Sequence, residues 1–567
     1  MAWLIIKSDS KNFNFQTITH NRVLVNKGFT VIENFDKRFS ADKILYSEHE
    51  NQVFLLDGVV LNKTELYSDF ESNNMLALLK KLIEKQNTPF CTELRGPFTG
   101  CWCDVVNDTM YAFGNQTGDA AVFYYHDKDY FVVSSDFNMV YDFCKLNRIP
   151  ITFNEIAANH ILSLGYVVDG NTFVKEICRV KPGEIVSFYN NEIKEKVYHR
   201  FNNDELQNIS LSESVEMLDI AFRKAVKRCF NKDIEYGYEN HIADISGGLD
   251  SRMTCWVAKE MGYSNITNIS YSKYNSDESK FAFIASAAMN NELIFKPLDD
   301  LHFFFDIEEN IKKNYGLSIY NGITGGKRLL SDLNFEKYGL EHTGMLGDVV
   351  VGSFCSKPDD FEINSKNICY SDIINADINN YSQYENFEIF ALYYRGFQGA
   401  LTSHFIRRNY TETVSPFIDV DFLQLCLSLP LTFRCGHKLY WEWILTKYPD
   451  IAKIPSTRSF PNKKNISIRT IGLKIIGNKK RYVLSILKRL RLYKLMQNPN
   501  DMNPLNYWYY TNPRIQDFMN NYYLQHIDLI KSYPITQQNV EQLFHGDKSF
   551  DKSLAMTVLG SYSVYFK

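Results

Sequence analysis

The residues best equipped for chemistry are Ser246-Gly247-Gly248-Leu249-Asp250-Ser251. They follow an apolar segment, residues 241–245, and open a helix-like run over 252–258. A strand, a glycine turn and a helix in this order hold an anion. Two adjacent glycines let backbone N–H groups approach a phosphate with no Cβ in the way. The helix N-terminus adds partial positive charge, and the two serines can donate hydroxyls. Asp250 beside a polyphosphate calls for a bridging Mg2+. No Gly-Lys-Ser/Thr follows the glycines, so this is not the loop that serves γ-phosphate transfer. Its absence points to ATP cleaved between the α- and β-phosphates, with pyrophosphate leaving. An ordinary polar turn explains a bare Gly-Gly pair; the full six-residue string is much rarer.

A second constellation lies downstream, in Thr343-Gly344-Met345-Leu346-Gly347-Asp348-Val349-Val350-Val351-Gly352. The first string resembles the pyrophosphate loop of the asparagine synthetase family, whose members adenylate a carboxylate and displace AMP with nitrogen. The second resembles that family's Ser-Gly-Glu-Gly-Ser-Asp-Glu-x-x-Gly-Gly loop, with Gly344, Asp348 and Gly352 on matching positions. The resemblance implies ATP held by Ile245, Ser246, Gly247, Gly248, Asp250, Ser251, Ser272, Gly344 and Gly347. It implies one Mg2+ shared by Asp250 and Asp348, phosphates and water completing its octahedron. The metal would screen charge as an anionic carboxylate approaches the α-phosphate.

The family's glutamate in the second loop is Met345 here, and methionine cannot move a proton. Either the substrate is bulkier and less polar, or the base comes from elsewhere. Glu412 is the candidate, in Thr411-Glu412-Thr413-Val414-Ser415-Pro416-Phe417-Ile418-Asp419. That string resembles the family's Glu-x-Arg-x-Pro-Phe-Leu-Asp, with Val414 replacing the arginine. β-Lactam synthetases, of the same family, use this glutamate in a catalytic dyad; a buried structural acid is the competing reading. Residues 430–455 match the family's later pattern. Its pyrophosphate-clamping base would be Arg458 or Lys463.

The first two hundred residues resemble the family's glutaminase domain. Asp57-Gly58-Val59-Val60-Leu61-Asn62 stands for Asn-Gly-Glu-Ile-Tyr-Asn, Gly96-Pro97-Phe98-Thr99 for Gly-x-Phe-Ala, and residues 118–125 for Gly-x-x-Pro-Leu-Tyr-Tyr. The family's nucleophilic cysteine after Met1 is Ala2 here, and without a thiol the covalent route is lost. Its glutamine-binding Asn, Glu and Asp correspond to Asp57, Val59 and Asn73. Each unpaired amide or amine would cost roughly 1–3 kcal/mol. No glutaminase activity is expected.

The elements that must position these residues follow from periodicity. Residues 53–61, 100–106, 109–113 and 130–135 read as strands between turn residues, with a helix over 75–83 and a hairpin closed by Pro182-Gly183-Glu184. From 212–229 onward the pattern alternates: helix, phosphate loop, strand over 266–272, and a helix from Asp277-Glu278 through Ala288 with acids in its first turn. Strands alternating with helices imply a doubly wound parallel sheet with its ligand at the carboxyl ends of the strands. The expected architecture is therefore an α+β glutaminase-like sandwich of Ntn-hydrolase type over 1–203. An α/β, ATP-pyrophosphatase-type synthetase domain over 204–567 would follow, with a basic extension from about 463.

The chain has 567 residues and a net charge of −4, which argues for two or more domains and against nucleic acid binding. The N-terminal apolar run is too short for a signal peptide and no stretch reaches transmembrane length, so a cytoplasmic protein with reduced thiols is expected. Cys101-x-Cys103 reads as a pair of strand side chains. Between Lys463 and Leu495 stand seven Lys, four Arg and no acid. A solvated helix face is the simple reading; docking of a peptide, an acidic carrier, a polyanion or a membrane face is the sharper one.

The activity expected is an ATP-dependent amide-forming ligase. It would join a substrate carboxylate to an amine that does not come from its own glutamine hydrolysis, as lasso-peptide cyclases and β-lactam synthetases do, in a natural-product, peptide or surface-polysaccharide pathway. Amidation with ammonia from a partner glutaminase is one alternative. An ATP-binding scaffold without turnover is the other.

Overall fold

The computed structural model describes residues 2–8, 13–15, 22–26, 29–34, 36–49, 52–85, 90–322, 327–354, 362–363, 365–373, 383–457 and 499–567. Arg458, Lys463 and the basic stretch lie outside them.

The apolar run at the N-terminus forms a strand, β1 (Ala2–Ser8), and its alternation explains why it is apolar throughout. Trp3 and Ile5 point into one core, Leu4 and Ile6 into another. A strand buried on both faces needs no polar partner positions. In chain order follow β2 (Arg22–Asn26), β3 (Phe29–Asn34), β4 (Ile44–His49), β5 (Gln52–Gly58), β6 (Phe98–Asp104), β7 (Thr109–Gly114), β8 (Phe123–His126), β9 (Tyr130–Ser134), β10 (Ile177–Arg179), β11 (Glu184–Tyr189) and β12 (Glu192–Val197). They make two six-stranded sheets, ordered β10-β8-β9-β1-β3-β2 and β12-β11-β7-β6-β5-β4.

Between the sheets lie Trp3, Val31, Leu55, Cys101, Cys103 and Val133. On the outer face of the second sheet, Phe54, Leu56 and Phe113 pack against Leu78, Leu79 and Leu82 of the helix Met75–Lys85. On the outer face of the first, Leu4 and Ile6 share a core with the helices Phe137–Leu146 and Glu155–Leu164. The result is four layers, helix on sheet on sheet on helix. Cys101 and Cys103 are two buried strand side chains with sulfurs 3.8 Å apart, and every described cysteine is unbridged. The hairpin between β11 and β12 turns at Asn190-Asn191, both at positive φ, whereas Pro182-Gly183 leads into β11.

The later strands are β13 (Asn240–Asp244), β14 (Ile266–Ser272), β15 (Glu292–Pro297), β16 (Tyr338–His342) and β17 (Thr413–Val414). They form one parallel sheet ordered β15-β14-β13-β16-β17. The chain builds outward from β13 through β14 to β15, then crosses to the other side of β13. Loops leaving β13 and β16 therefore diverge from a topological switch point, where ligands bind in such sheets. The long helix Leu211–Glu235 opens with a capping box, Ser210 and Glu213 exchanging bonds with each other's backbone.

The C-terminal helices do not pack on the parallel sheet. Leu554, Val558 and Leu559 of the helix Ser549–Phe566 join the core of the first sheet together with Ile161 and Ile311. Residues 165–167 pair with 317–319: Val167 N donates to Leu317 O and Ile319 N to Gly165 O, each at 2.9 Å. The two halves are thereby joined through backbone. Among the described residues no helix is long and apolar enough to cross a membrane.

Candidate functional site

At the end of β13 the chain turns through residues 245–249 into the helix Asp250–Glu260. The turn is tied by its own serines. Ser246 N donates to Ser251 Oγ at 3.0 Å, Gly248 N donates to Ser246 Oγ at 3.1 Å, and the two hydroxyls lie 2.9 Å apart.

The loop leaving β16 rests directly on the first turn of that helix. A Cβ on Gly344 would lie 2.2 Å from Ser251 N and 2.5 Å from the Asp250 carbonyl carbon. One on Gly347 would lie 2.6 Å from Asp250 Cβ. Backbone cannot retreat as a flexible side chain can, so Gly344 excludes a side chain, while one at Gly347 would displace the Asp250 carboxylate. Tyr440, on the helix Lys438–Lys447, donates its hydroxyl to the Asp250 carboxylate at 2.7 Å.

Two cavities open from this junction. The smaller, about 180 Å3, is lined by Ile245, Ser246, Gly248 and Ser251 of the turn, Ser270 and Tyr271 of β14, Asp244, Glu278 and Met502. The larger, about 770 Å3, is lined by Asp348, Tyr166, Arg395, Ser403 and Phe550 among others. Both include Asp250, Gly344 and Met345 in their walls. The two loops thus place Asp250 and Asp348 on the surface of one cavity and the glycine turn on the other.

The sheet beneath is fixed by buried charge. Arg407 bonds to Glu341 of β16 and Asp244 of β13, and donates to the Tyr271 hydroxyl of β14 at 2.9 Å. Thr413 of β17 donates to Glu341 at 3.0 Å. Four neighbouring strand ends therefore meet on one guanidinium and its partners. Burial and the adjacent Asp244 push Glu341 up to about 8, opposed by Arg407. On the opposite face of the sheet, Asp233 accepts from His241 Nδ1 (2.7 Å), His342 Nε2 (2.8 Å) and Leu340 N (2.7 Å). Burial depresses His342; Asp233, though buried, is held below its usual range by the two imidazoles.

Of the residues singled out in the sequence, Ile245, Ser246, Gly248, Asp250, Ser251 and Gly344 line the small cavity, and Asp250, Gly344 and Asp348 the large one. Gly247 and Gly347 pack beneath them. A Cβ on Gly247 would lie 2.6 Å from Glu278 Oε2. The Ser272 hydroxyl lies instead 3.1 Å from Ser276 Oγ, and Ser272 lines neither cavity. Glu412 is 2 % exposed, lies 2.9 Å from Arg408 Nε, and also lines neither cavity. Arg458 and Lys463 fall outside the described residues.

Sequence reasoning misses several groups. Glu278 is visible there only as a first-turn acid, yet it touches the Gly247 backbone, and burial raises its pKa. Tyr440, Arg407, Tyr166 and Arg395 carry no local motif and are brought in by tertiary packing.

Beside the start of β1, Trp3 N donates to Ser135 Oγ at 3.2 Å. There a void of about 40 Å3 lies among Asp57, Asp136 and Arg408.

No family model and no curated protein matches the chain. Among solved structures, the chain is similar to glutamine phosphoribosylpyrophosphate amidotransferase from B. subtilis, complexed with ADP and GMP. Identity is 12 % and the TM-score 0.24, over 52 % of this chain and 59 % of that one. It is also similar to an allosteric regulatory enzyme of purine biosynthesis, at 10 % identity and a TM-score of 0.25, over 52 % of this chain and 74 % of that one.

Proposed function

We propose that the chain is an ATP-dependent ligase that activates a substrate carboxylate as an acyl-adenylate and passes the acyl group to an amine. The carrying observation is the junction at Asp250. Gly344 and Gly347 have no side chains, and this lets the second loop lie on the helix N-terminus, so that two acids share a cavity wall beside a serine-glycine turn. The residues present fit the groups the reading requires. The turn offers backbone N–H groups and hydroxyls for phosphate. Asp250 and Asp348 offer the one or two carboxylates that Mg2+ takes when phosphate oxygens and water complete its shell. When bound, the metal supplies charge neutralisation between the triphosphate and the attacking carboxylate.

This chain's own residues would do the rest. Tyr440 orients Asp250 through its hydroxyl. Ser246 and Ser251 orient the turn. The large cavity holds the acid and the amine, and Met345 stands where the two cavities meet. Glu412, paired with Arg408 and away from both cavities, is better read as a structural acid than as the base. An acceptor amine that arrives with the substrate accords with Ala2, which offers no thiol for glutamine hydrolysis.

The test is carboxylate-dependent exchange of labelled pyrophosphate into ATP, across aspartate, amino-acid derivatives, uronic acids, peptides and larger acids. Asp250→Ala serves as control. Exchange with one class of acid, abolished by the substitution, is expected. ATP binding with no exchange across the panel would favour a non-catalytic scaffold.

A further inference from the structure

The large cavity carries a recognition pattern of its own. Its volume, about 770 Å3, lies in the range of pockets that enclose drug-sized ligands, far more than a small amino acid fills. Much of its wall is apolar, including Met345, Leu346, Ile319, Ile406 and Phe550. Against that background three polar groups stand out. Arg395 is exposed, and its guanidinium lies 5.6 Å from the Phe354 ring and 5.5 Å from the Tyr370 ring. Among the described residues no carboxylate pairs with it. Tyr166 is 4 % exposed and Ser403 6 %, and neither hydroxyl has a hydrogen-bond partner.

A buried hydroxyl left unpaired costs about 1–3 kcal/mol, so two of them on one cavity wall mark positions where a bound molecule supplies the partner. Burial holds the Tyr166 phenol far above its ordinary range, so it stays a neutral donor. Arg395 has no acceptor atoms. The charge and geometry of a guanidinium flanked by two rings, beside a phenol donor, select an oxyanion. The acids that would bind the metal, Asp250 and Asp348, would repel an anion in the same cavity unless their charge is neutralised.

We propose that this cavity binds a bulky, largely apolar carboxylic acid carrying a second oxyanion, and that Arg395 and the Tyr166 hydroxyl hold that second group. The inference rests on the ligase reading for which carboxylate reacts, but the recognition itself is read by binding alone.

The experiment uses two probe acids that differ by one carboxylate, 4-phenylbutyrate and 4-(4-carboxyphenyl)butyrate. Each is titrated calorimetrically into the full chain with Mg2+ and a non-hydrolysable ATP analogue. The diacid is expected to bind about tenfold more tightly than the monoacid. Arg395→Ala should bring that preference below about twofold while leaving the monoacid within about threefold. Arg395→Lys should keep part of it. Tyr166→Phe, which removes one oxygen and no packing, should weaken the diacid by about threefold or more and leave the monoacid alone. Equal binding of the two acids, a preference that survives Arg395→Ala, or no binding of either would overturn the inference. Pyrophosphate exchange is run in parallel. A diacid preference without exchange refutes the ligase and leaves this recognition standing, whereas exchange without the preference does the reverse.

Discussion

Adding one methyl group at Gly344 tests the whole construction of the site. The Cβ of Gly344→Ala would sit 2.2 Å from Ser251 N and 2.5 Å from the Asp250 carbonyl carbon. Unbonded heavy atoms of this size settle at about 3.5–4.0 Å, so loop and helix must part by more than about 1 Å. Overpacking of this kind costs about 1–3 kcal/mol. For a unit of about 150–250 residues that corresponds to roughly 2–4 °C of Tm per kcal/mol, or a fall of about 2–12 °C. The functional effect should be larger. A displacement of 1 Å between groups that position a reaction costs about 10²-fold. Gly248→Ala is the contrast: its Cβ would approach only Ser246 Oγ, at 3.2 Å, a side chain that can rotate. It should leave Tm within about 2 °C while weakening nucleotide binding. The assays are thermal melting, calorimetric titration of MgATP, and pyrophosphate exchange. A Gly344→Ala protein with native Tm, native MgATP affinity and native exchange would refute the argument that close contact between the two loops builds the site.

Four further outcomes follow from the same geometry. Asp250→Asn and Asp348→Asn should each weaken Mg2+-dependent ATP binding, and the double variant should lose less than the sum; strict additivity in the titrations would mean the acids do not share one ion. Ala2→Cys should release no ammonia from glutamine, since Asp57, Val59 and Asn73 stand where glutamine's polar partners would be; steady release in a coupled assay would show the pocket to be misread. Asp233→Ala removes the acceptor of three buried donors and should cost several kcal/mol, at about 1–3 kcal/mol for each orphaned group, read as a large fall in Tm. His342 and Asp233 both have depressed pKa values in the fold. Their contributions are therefore fully present above the unfolded values of about 6.5 and 3.9 and are lost as pH falls below them. Tm should decline on acidification from pH 7 towards pH 4, and His342→Gln should flatten the first part of that decline; a native Tm constant over the range would contradict it.

The strand Ile266–Ser272 and the helix Asp277–Ala288 are legible in the sequence because periodicity and first-turn acids mark the same bounds. The glycine turn is legible because its neighbours on both sides are local. The site's other half is not. Arg407 reads as an ordinary helix base until three strand ends converge on it, and Glu278 as a dipole acid until the turn folds over it. The position of Ser272 at a strand end suggests a cavity wall. The pleat instead gives the wall to Ser270 and Tyr271, and the Ser272 hydroxyl bonds to Ser276. The turn of the last hairpin falls on Asn190-Asn191 because asparagine tolerates the left-handed backbone that a tight turn needs.

The first half of the chain shapes the large cavity. Gly165 and Tyr166 follow directly from the helix Glu155–Leu164 and form part of the large cavity's wall. They are held in register by backbone bonds to residues 317 and 319. Gly399, in the same wall, packs so closely on the Tyr166 ring that an added Cβ would lie 3.1 Å from it. The C-terminal helix, which contributes Phe550 to the cavity, is anchored in the core of the first sheet through Leu554 and Val558. Removing the first half would thus take away one wall of the cavity and the support of another. The first half therefore helps set the shape of the pocket beside the glycine turn.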